Sequence, residues 1–259
     1  MGKTISTGFI TDKINGITVN SSIKCDSRNY NNRTSRNVSY IVMHYTGNSK
    51  DNAKNNANYF ASGSWKASAH FFVDDAAIYQ SVELRDVAWH CGGSSYYHPA
   101  CRNSVAFGIE MCCTAGNYKV SEKTKENAAY LCANLCKRLG ITAEDVDTYV
   151  LRHYDITHKS CPAQMAGSSN KEWEAFKEDV KSILTTGAIS KEVASQKQNS
   201  YLVKITANVL NVRSGAGTSY GVVTQVKKGE VFTIVEEKNK WGKLKSGAGW
   251  ISLAYTEKI

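Results

Sequence analysis

The sequence predicts an α/β domain, with a mixed central sheet flanked by helices, followed by a small all-β barrel. Residues 186–199 are polar and small, without a sustained apolar period, and this predicts a linker. Before it, strand-like apolar runs alternate with helical patterns, which is typical of an α/β domain. After it, short β-runs are separated by glycine-rich turns. We therefore expect a first domain over residues 1–185, with its core in 38–185, and a second over 200–259.

The composition is that of a folded protein with an anionic partner. Of 259 residues, 42% are hydrophobic and 21% are charged. No stretch approaches the roughly 18 apolar residues that a membrane-spanning helix requires, so we expect no stable membrane insertion. The net charge is +9, and residues 200–259 carry nine Lys or Arg against four Glu. Five consecutive basic residues occur nowhere, so nucleic acid is not the expected partner, and a membrane surface or a bacterial wall polymer remains open.

The N-terminus and the cysteines predict a chain made in a reducing compartment. Residues 1–6 lack the basic patch and apolar run of a secretory signal, so we expect synthesis in a cytoplasm without a signal peptide. Eight cysteines are too few for a disulfide scaffold. Cys91 and Cys101 flank a loop, and a bridge between them under oxidation remains open.

Strand and helix patterns place the residues that could carry chemistry. Asn15-Gly16 predicts a hairpin in an N-terminal extension. An apolar run over 38–46 predicts a buried strand with His44 near its end, and a second run over 105–113 embeds Glu110 among apolar residues. A strand pair is expected at 69–74 and 77–82, and helices at 51–61, 121–139 and 171–184.

Two histidines and one cysteine form the most informative group. His153 and Cys161 lie eight residues apart around a turn-prone loop, and His44 lies near a strand end. Three nitrogen or sulfur ligands with a fourth position left to water are the arrangement of a catalytic zinc site, whereas structural zinc sites have four protein ligands. No CxxC pair occurs, which argues against a zinc finger. By spacing alone, two of these three residues could be ordinary core residues.

Five segments of the first domain resemble the zinc-dependent N-acetylmuramoyl-L-alanine amidases, a family that includes phage endolysins, bacterial autolysins and peptidoglycan recognition proteins. They occur in the family's order over residues 38–185. The resemblance implies that His44, His153 and Cys161 hold one zinc ion. The matching segments are VMHYTG at 42–47, SAHFFVDD at 68–75, AWHCG at 88–92, NSVAFGIEMC at 103–112, and RHYDIT with KSCP at 152–162.

The same resemblance implies catalytic roles for Glu110 and Lys159. Glu110 matches the family's glutamate, and a carboxylate beside the attacking water suits a general base. The alternative is a buried structural glutamate satisfied by Arg152. Lys159 would stabilise the developing oxyanion, although it could be a surface lysine. One branch of the family has a catalytic tyrosine where this chain has Ala69, so the acid–base work would fall on Glu110.

Three further residues lie in motifs that the family places near its substrate groove. His70, Trp89 and His90 are therefore expected to contact the glycopeptide substrate or to support the metal ligands, rather than to bind the metal.

Residues 201–259 resemble a bacterial SH3-type domain. In wall hydrolases such modules commonly bind peptidoglycan, so the resemblance implies wall binding by Tyr220, Trp241 and Trp250 with the basic residues around them. Trp250 could equally fill the barrel core. The matching segments are ANVLNVRSGAGTSY at 207–220, VKKGEVF at 226–232, KWGKL at 240–244 and GWI at 249–251.

The expected function is that of a zinc-dependent peptidoglycan hydrolase. The resemblance implies cleavage of the amide bond between N-acetylmuramic acid and L-alanine of the stem peptide, in cell lysis, by an endolysin or autolysin. We expect a monomer that is made in the cytoplasm of a bacterial host and acts on the cell wall after its release. The alternative is a non-catalytic peptidoglycan recognition protein, but such proteins lose activity when the metal ligands disappear, and here His44, His153, Cys161 and Glu110 are all present.

Overall fold

The computed structural model describes residues 2–190 and 200–259 and separates the chain into two units, Met1–Ser190 and Lys191–Ile259. The strands of the first unit are β1 Lys3–Ile5, β2 Lys13–Ile14, β3 Ile17–Asn20, β4 Tyr30–Asn31, β5 Arg36–Val38, β6 Tyr40–Tyr45, β7 Phe71–Val73, β8 Ile78–Gln80, β9 Val87–Ala88, β10 Ala106–Met111 and β11 Val150–Arg152. Its helices are α1 Ala53–Ala61, α2 Glu122–Leu139, α3 Val146–Tyr149, α4 His153–Thr157 and α5 Lys171–Thr186. The strands of the second unit are β12 Tyr201–Ile205, β13 Val209–Arg213, β14 Val222–Lys227, β15 Val231–Lys238, β16 Trp241–Leu244, β17 Trp250–Ser252 and β18 Thr256–Lys258.

A mixed sheet in the order β11-β6-β10-β7-β8-β3-β2 forms the centre of the first unit. Strands β11, β6, β10 and β7 run parallel to one another, whereas β7 and β8 are antiparallel. Helices cover the sheet, which is why β6 and β10 read as nearly continuous apolar runs. The predicted α/β class is confirmed.

Side chains alternate between the two faces of the sheet along β6 and β10, and this determines which residues face the helices. Met43 and Ile109 are fully buried in the main core with Leu135 of α2 and Val180 of α5. Because successive side chains point to opposite faces of a sheet, His44 and Glu110 lie on the other face. The residues that could carry chemistry are thereby kept out of the main apolar core.

The N-terminal hairpin differs from the expected extension. Asn15 and Gly16 make the predicted tight turn, with φ of 48° and 76°. Strand β3, however, pairs in parallel with β8 and so forms part of the central sheet. Ile14 is 3% exposed and packs in the main core. The core therefore begins well before residue 38, because these early apolar residues complete the sheet.

Both ends of α2 agree with the sequence, whereas α5 ends later than expected and the linker starts later. Ser121 caps α2 by accepting from the Thr124 amide, and Gly140 ends that helix in the left-handed region, in agreement with the helix expected over 121–139. Helix α5 ends at Thr186, and beyond it Ile189 packs in the core of the first unit while the Ser190 amide donates to Asp179. Residues 186–190 therefore belong to the first unit. The rest of the predicted linker, 191–199, lies outside the described residues.

The second unit is all β, as predicted. Its strands pair in the order β14-β13-β17-β16-β15-β12-β18. Trp250 is half-buried and lies outside the apolar cluster of this unit, so the alternative that it fills the barrel core is wrong. That cluster consists of Val203, Ile205, Leu210, Val212, Val226, Ile234, Leu244 and Ile251.

Across residues 2–190 and 200–259, the helices are all too short or too polar to cross a bilayer. All eight cysteines, including Cys91 and Cys101, are buried free thiols.

A buried arginine joins β5 to the strands around the candidate site. Arg36 is 8% exposed, and its guanidinium donates to the carbonyls of Leu84 at 3.0 Å, Ala106 at 3.0 Å and Asn103 at 3.2 Å. Burial lowers the pKa of Arg36 to about 10, which reflects the cost of desolvating this cation. The hydrogen bonds to these carbonyls offset the cost of desolvating the guanidinium, so losing any of them should destabilise the fold.

We predict that Arg36→Met lowers the free energy of unfolding by about 2–4 kcal/mol, because several buried carbonyls lose their donor. The matched control is Arg33→Met on the same segment, where the arginine is exposed and the change should stay within about 0.5 kcal/mol. Urea unfolding of both variants measures the difference. Equal losses would contradict the role given to the Arg36 guanidinium.

Candidate metal centre and substrate groove

His44, His153 and Cys161 meet at the carboxyl ends of parallel strands. His44 is the penultimate residue of β6, His153 begins α4 directly after β11, and Cys161 follows α4. Their candidate ligand atoms all lie within 4.8 Å of one another, and Cys161 Sγ is 3.7 Å from His44 Nδ1. Open α/β sheets commonly place ligand sites at this edge. Residues 117 positions apart are thus brought to one point.

Local hydrogen bonds hold Cys161 against the start of α4. The helix ends at Thr157, and its C-cap His158 adopts the left-handed conformation with φ of 57°. The chain then turns back towards the start of α4, where the Tyr154 amide donates to the Cys161 carbonyl at 2.9 Å. This turn places the thiol beside His153, although the two residues are eight positions apart.

The far nitrogens of both imidazoles are held by neighbouring groups. His44 Nε2 lies 3.0 Å from His90 Nδ1, and His153 Nε2 lies 2.9 Å from the Gly92 carbonyl oxygen. These contacts orient each ring and leave Nδ1 as the nitrogen for a metal. Outer contacts of this kind are characteristic of metal-binding histidines.

The protonation states of the three groups suit a metal site. Burial lowers the pKa of His44 well below its ordinary value, and also lowers that of His153, so both imidazoles are neutral and able to bind a cation. Burial raises the pKa of the Cys161 thiol to about 12, and a bound metal would compensate the thiolate charge. Two imidazoles and one thiolate are a donor set that zinc accepts, so these residues fit a zinc ion.

Glu110 lies next to this centre, and one of its carboxyl oxygens is buried. It pairs in register with His44 across the parallel strands β10 and β6, so the two side chains share one face. Among the described residues, no group hydrogen-bonds the buried Glu110 Oε2. Arg152 instead binds Asp155 at 2.6 Å and the Gly167 carbonyl at 3.0 Å. The alternative that Arg152 satisfies Glu110 is therefore wrong.

Burial and a nearby cation shift the pKa of Glu110 in opposite directions. Desolvation raises the pKa of its carboxyl to about 8, while the Lys159 ammonium partly lowers it. The same ammonium lowers the pKa values of His44, His153 and Cys161, although it is not the main cause in any of them. The exposed Lys159 therefore lies within electrostatic reach of the whole centre.

The three residues expected near substrate have different positions. His70 is fully buried, its Nδ1 accepts from the Gly108 amide at 3.1 Å, and its Nε2 lies 3.2 Å from the Asp86 carbonyl oxygen. Substrate contact by His70 is therefore excluded by its burial, and it braces the backbone instead. His90 is 7% exposed and supports His44. Trp89 is half-buried, and its indole donates to Asn31.

A polar groove of about 330 Å³ adjoins Glu110 and was not anticipated from the sequence. Asp51 orders one wall, since it accepts from the Cys113 amide at 2.6 Å and from Asn56 Nδ2 at 2.6 Å. The only signal in the sequence was the unusual density of asparagines at 51–61. The groove is lined by Thr46, Asn48, Asp51, Asn55, Asn56, Tyr59, Phe60, Phe72 and Glu110.

We predict that Cys161→Ser weakens zinc binding by more than about 100-fold, because it removes a ligand rather than an outer contact. Cys25→Ser is the matched control: the two thiols are 4% and 5% exposed. Competition with a chromophoric chelator measures both affinities. Retention of tight stoichiometric zinc by Cys161→Ser would exclude this thiol as a ligand.

We predict that Gly108→Ala weakens zinc binding about 10- to 100-fold without touching a ligand. A Cβ at Gly108 would lie 2.7 Å from His90 Cγ, so the imidazole that supports His44 must move. At Gly92, which is close by in the chain to His90, a Cβ meets no atom within 4 Å, and Gly92→Ala serves as the control. Equal zinc affinities for the two variants would show that His90 does not orient His44.

Comparisons with known proteins agree with this geometry. Residues 34–164 match the N-acetylmuramoyl-L-alanine amidase family, and residues 208–257 match the bacterial SH3 domain family. The amidase BlyA of Bacillus subtilis is 32% identical over 227 residues, which are 79% of this chain and 60% of that protein. The amidase CwlL of Bacillus licheniformis is 34% identical over 192 residues, 70% of this chain and 50% of that protein. The chain thus spans little more than half the length of these curated relatives.

Solved structures of similar proteins have the same fold in the first unit. A mutant endolysin from Bacillus subtilis is 26% identical, with a TM-score of 0.52, and the match covers 63% of this chain and 99% of that one. The catalytic domain of XlyA is 27% identical, with a TM-score of 0.51, and covers 62% and 97%. Since the family match takes in half of the chain, including all three candidate ligands and Glu110, this protein belongs to the N-acetylmuramoyl-L-alanine amidase family.

Proposed function

We propose that this protein is a zinc-dependent peptidoglycan hydrolase that cleaves the amide bond between N-acetylmuramic acid and L-alanine of the stem peptide. One observation carries the proposal: the buried Oε2 of Glu110, unpartnered within the described residues, lies on the same sheet face as the His44, His153 and Cys161 centre. A buried carboxyl without a partner is costly for folding. Its presence beside a metal-binding group is explained by catalysis.

An amide is a poor electrophile. Its hydrolysis therefore requires polarisation of the carbonyl, activation of the water and protonation of the leaving amine. A zinc ion held by His44, His153 and Cys161 would supply charge that polarises the carbonyl and lowers the pKa of water towards ~7. Glu110 would accept the proton of the attacking water and return it to the leaving amine. With Ala69 at the position of the family's tyrosine, Glu110 does both proton transfers in this proposal.

Lys159 would act on the charge that develops at the carbonyl oxygen. Its ammonium is exposed yet close enough to perturb the titration of Glu110 and all three candidate ligands. A cation near the developing oxyanion favours a tetrahedral anion over the neutral amide. The polar groove beside Glu110 offers Asn48, Asn55 and Thr46 as hydrogen-bonding groups for the peptide or sugar on either side of the scissile bond.

The second unit would hold the enzyme on its insoluble substrate. Its SH3-type match, its surplus of basic residues and its outward tryptophans support binding to bacterial peptidoglycan. Tyr220 is 50% exposed, and Trp241 and Trp250 are half-buried. Joining such a module to the catalytic unit raises the local concentration of enzyme at the wall, so weak binding suffices. We propose action on the cell wall, in lysis, by a monomer.

We predict that Glu110→Gln lowers hydrolysis at least 100-fold while zinc stays bound, because the proton acceptor is lost and the ligands are not. The assay incubates purified cell walls with protein and counts new amino termini of L-alanine. Release by the native protein that a chelator abolishes supports the amidase. Wall binding without any release by the native protein would favour the non-catalytic recognition alternative.

The stability of the same variant separates a catalytic from a structural glutamate. In the metal-free protein, burial raises the pKa of Glu110 from 4.5 to about 8, so the folded state holds a proton that the unfolded state releases. Stability therefore falls as pH rises through this range. Glu110→Gln should unfold at a temperature no lower than that of the native chain at pH 7. A structural carboxylate would give the opposite result.

A further inference from the structure

An open cavity of about 380 Å³ lies on the second unit, and the proposed reaction does not use it. Its size falls within the range of small-ligand sites. The polar and aromatic side chains that line it come from three strands and two connecting segments. They are Asn211, Arg213, Thr218, Trp241, Ser252 and Tyr255.

Strand register explains why a cation and indoles share this face. Arg213 of β13 pairs with Trp250 of β17, and Trp250 pairs with Lys243 of β16. These three residues form one row across the sheet, and Trp241 and Ser252, which pair with each other, form a second row two residues along the strands. Side chains of directly paired residues lie on one face of a sheet, so both rows point the same way. The opposite face supplies the core, as the full burial of Val212 and Ile251 shows.

Neighbouring groups hold Arg213 in place. Its Nη1 donates to the Tyr220 carbonyl at 2.7 Å. The Tyr220 ring in turn packs so closely on Gly215 that a Cβ there would lie 2.5 Å from it. On the strand next to the cavity, Asn211 Oδ1 accepts from Gln225 Nε2 at 2.8 Å, which leaves the Asn211 amide nitrogen as a donor for a ligand. Tyr220 thus braces the cation and does not line the cavity.

The charge of the lining selects the ligand. Within the part of the chain that the structure describes, none of the residues that line the cavity is acidic, and Arg213 is the cation among them. A single guanidinium matches one carboxylate, which it can bind through two parallel hydrogen bonds. A long polyanion would gain more from several cations along its path. The flat faces of Trp241 and Tyr255 suit small apolar side chains next to peptide amides.

We propose that this cavity binds the free C-terminal carboxylate of a short peptide. The carboxylate lies on Arg213, Asn211 and Ser252 bind the last peptide groups, and the terminal side chain packs against Trp241. The inference deepens the proposed function and rests on it in one respect: stem peptides of the cell wall are the source of such termini.

The test titrates the full-length protein with N-acetyl-D-alanyl-D-alanine and with the C-terminal amide of the same dipeptide. Backbone and indole N–H resonances of residues 200–259 report binding at this unit and not at the catalytic groove. We expect the acid to shift the Trp241 indole and the Arg213 amide resonances. The amide should bind at least tenfold more weakly, because it cannot form the charge-assisted pair.

Two variants with the same change in charge sharpen the result. Arg213→Gln should weaken binding of the acid at least tenfold, whereas Lys228→Gln, at an exposed lysine of the same unit, should not change it. Arg213→Lys should restore part of the affinity, since it keeps the charge and loses the paired hydrogen bonds.

Three results would overturn the site: equal binding of acid and amide, no effect of Arg213→Gln, or shifts confined to other faces of the unit. Binding of poly(glycerol phosphate) with steep salt dependence, in place of the dipeptide, would show a polyanion surface instead. Hydrolysis of a soluble muramoyl peptide is measured alongside and should be unchanged in Arg213→Gln. If the native chain binds the acid but hydrolyses nothing, the proposed function fails and the site stands.

Discussion

The parallel register of β6 and β10 is the constraint on which the site depends. It sets His44 beside Glu110 on the sheet face away from α2 and α5. A shift of β6 by one residue would turn His44 into the apolar core and bring Met43 to the site. The same shift of β10 would exchange Glu110 with Ile109. The apolar residues that alternate with them make that shift unfavourable. The same packing that stabilises the sheet therefore fixes the spacing between the candidate ligand and the carboxyl.

The centre is costly to bury, and this explains why it fits a cation. Without one, the structure encloses neutral imidazoles, a thiol whose pKa is raised to about 12 and a carboxyl whose pKa is raised to about 8. Each shift is a free energy that opposes the charged form in the folded state. A bound divalent cation compensates these charges, so metal binding and folding stabilise each other. Activity and stability are coupled through the same few side chains.

Much of the site could be predicted from the sequence, because its residues lie in short recognisable motifs. Each of these motifs is a short stretch of chain whose residue types already indicate the chemistry. The structure brings together the residues that they contain, His44, His153, Cys161 and Glu110. The exclusion of His70 from substrate could not be foreseen, since its burial depends on Arg36 and Gly108 from distant segments. The addition of β3 to the sheet and the groove wall at Asp51 are likewise tertiary contacts that leave little local pattern.

The most direct test of the central claim is X-ray absorption at the zinc edge of the full-length protein loaded with one equivalent of metal. Two imidazoles and one thiolate predict a single sulfur scatterer at about 2.3 Å, with the remaining nitrogen or oxygen scatterers at about 2.0–2.1 Å and four ligands in total. A first shell without sulfur, or one with two or more sulfurs, would contradict the assignment of His44, His153 and Cys161.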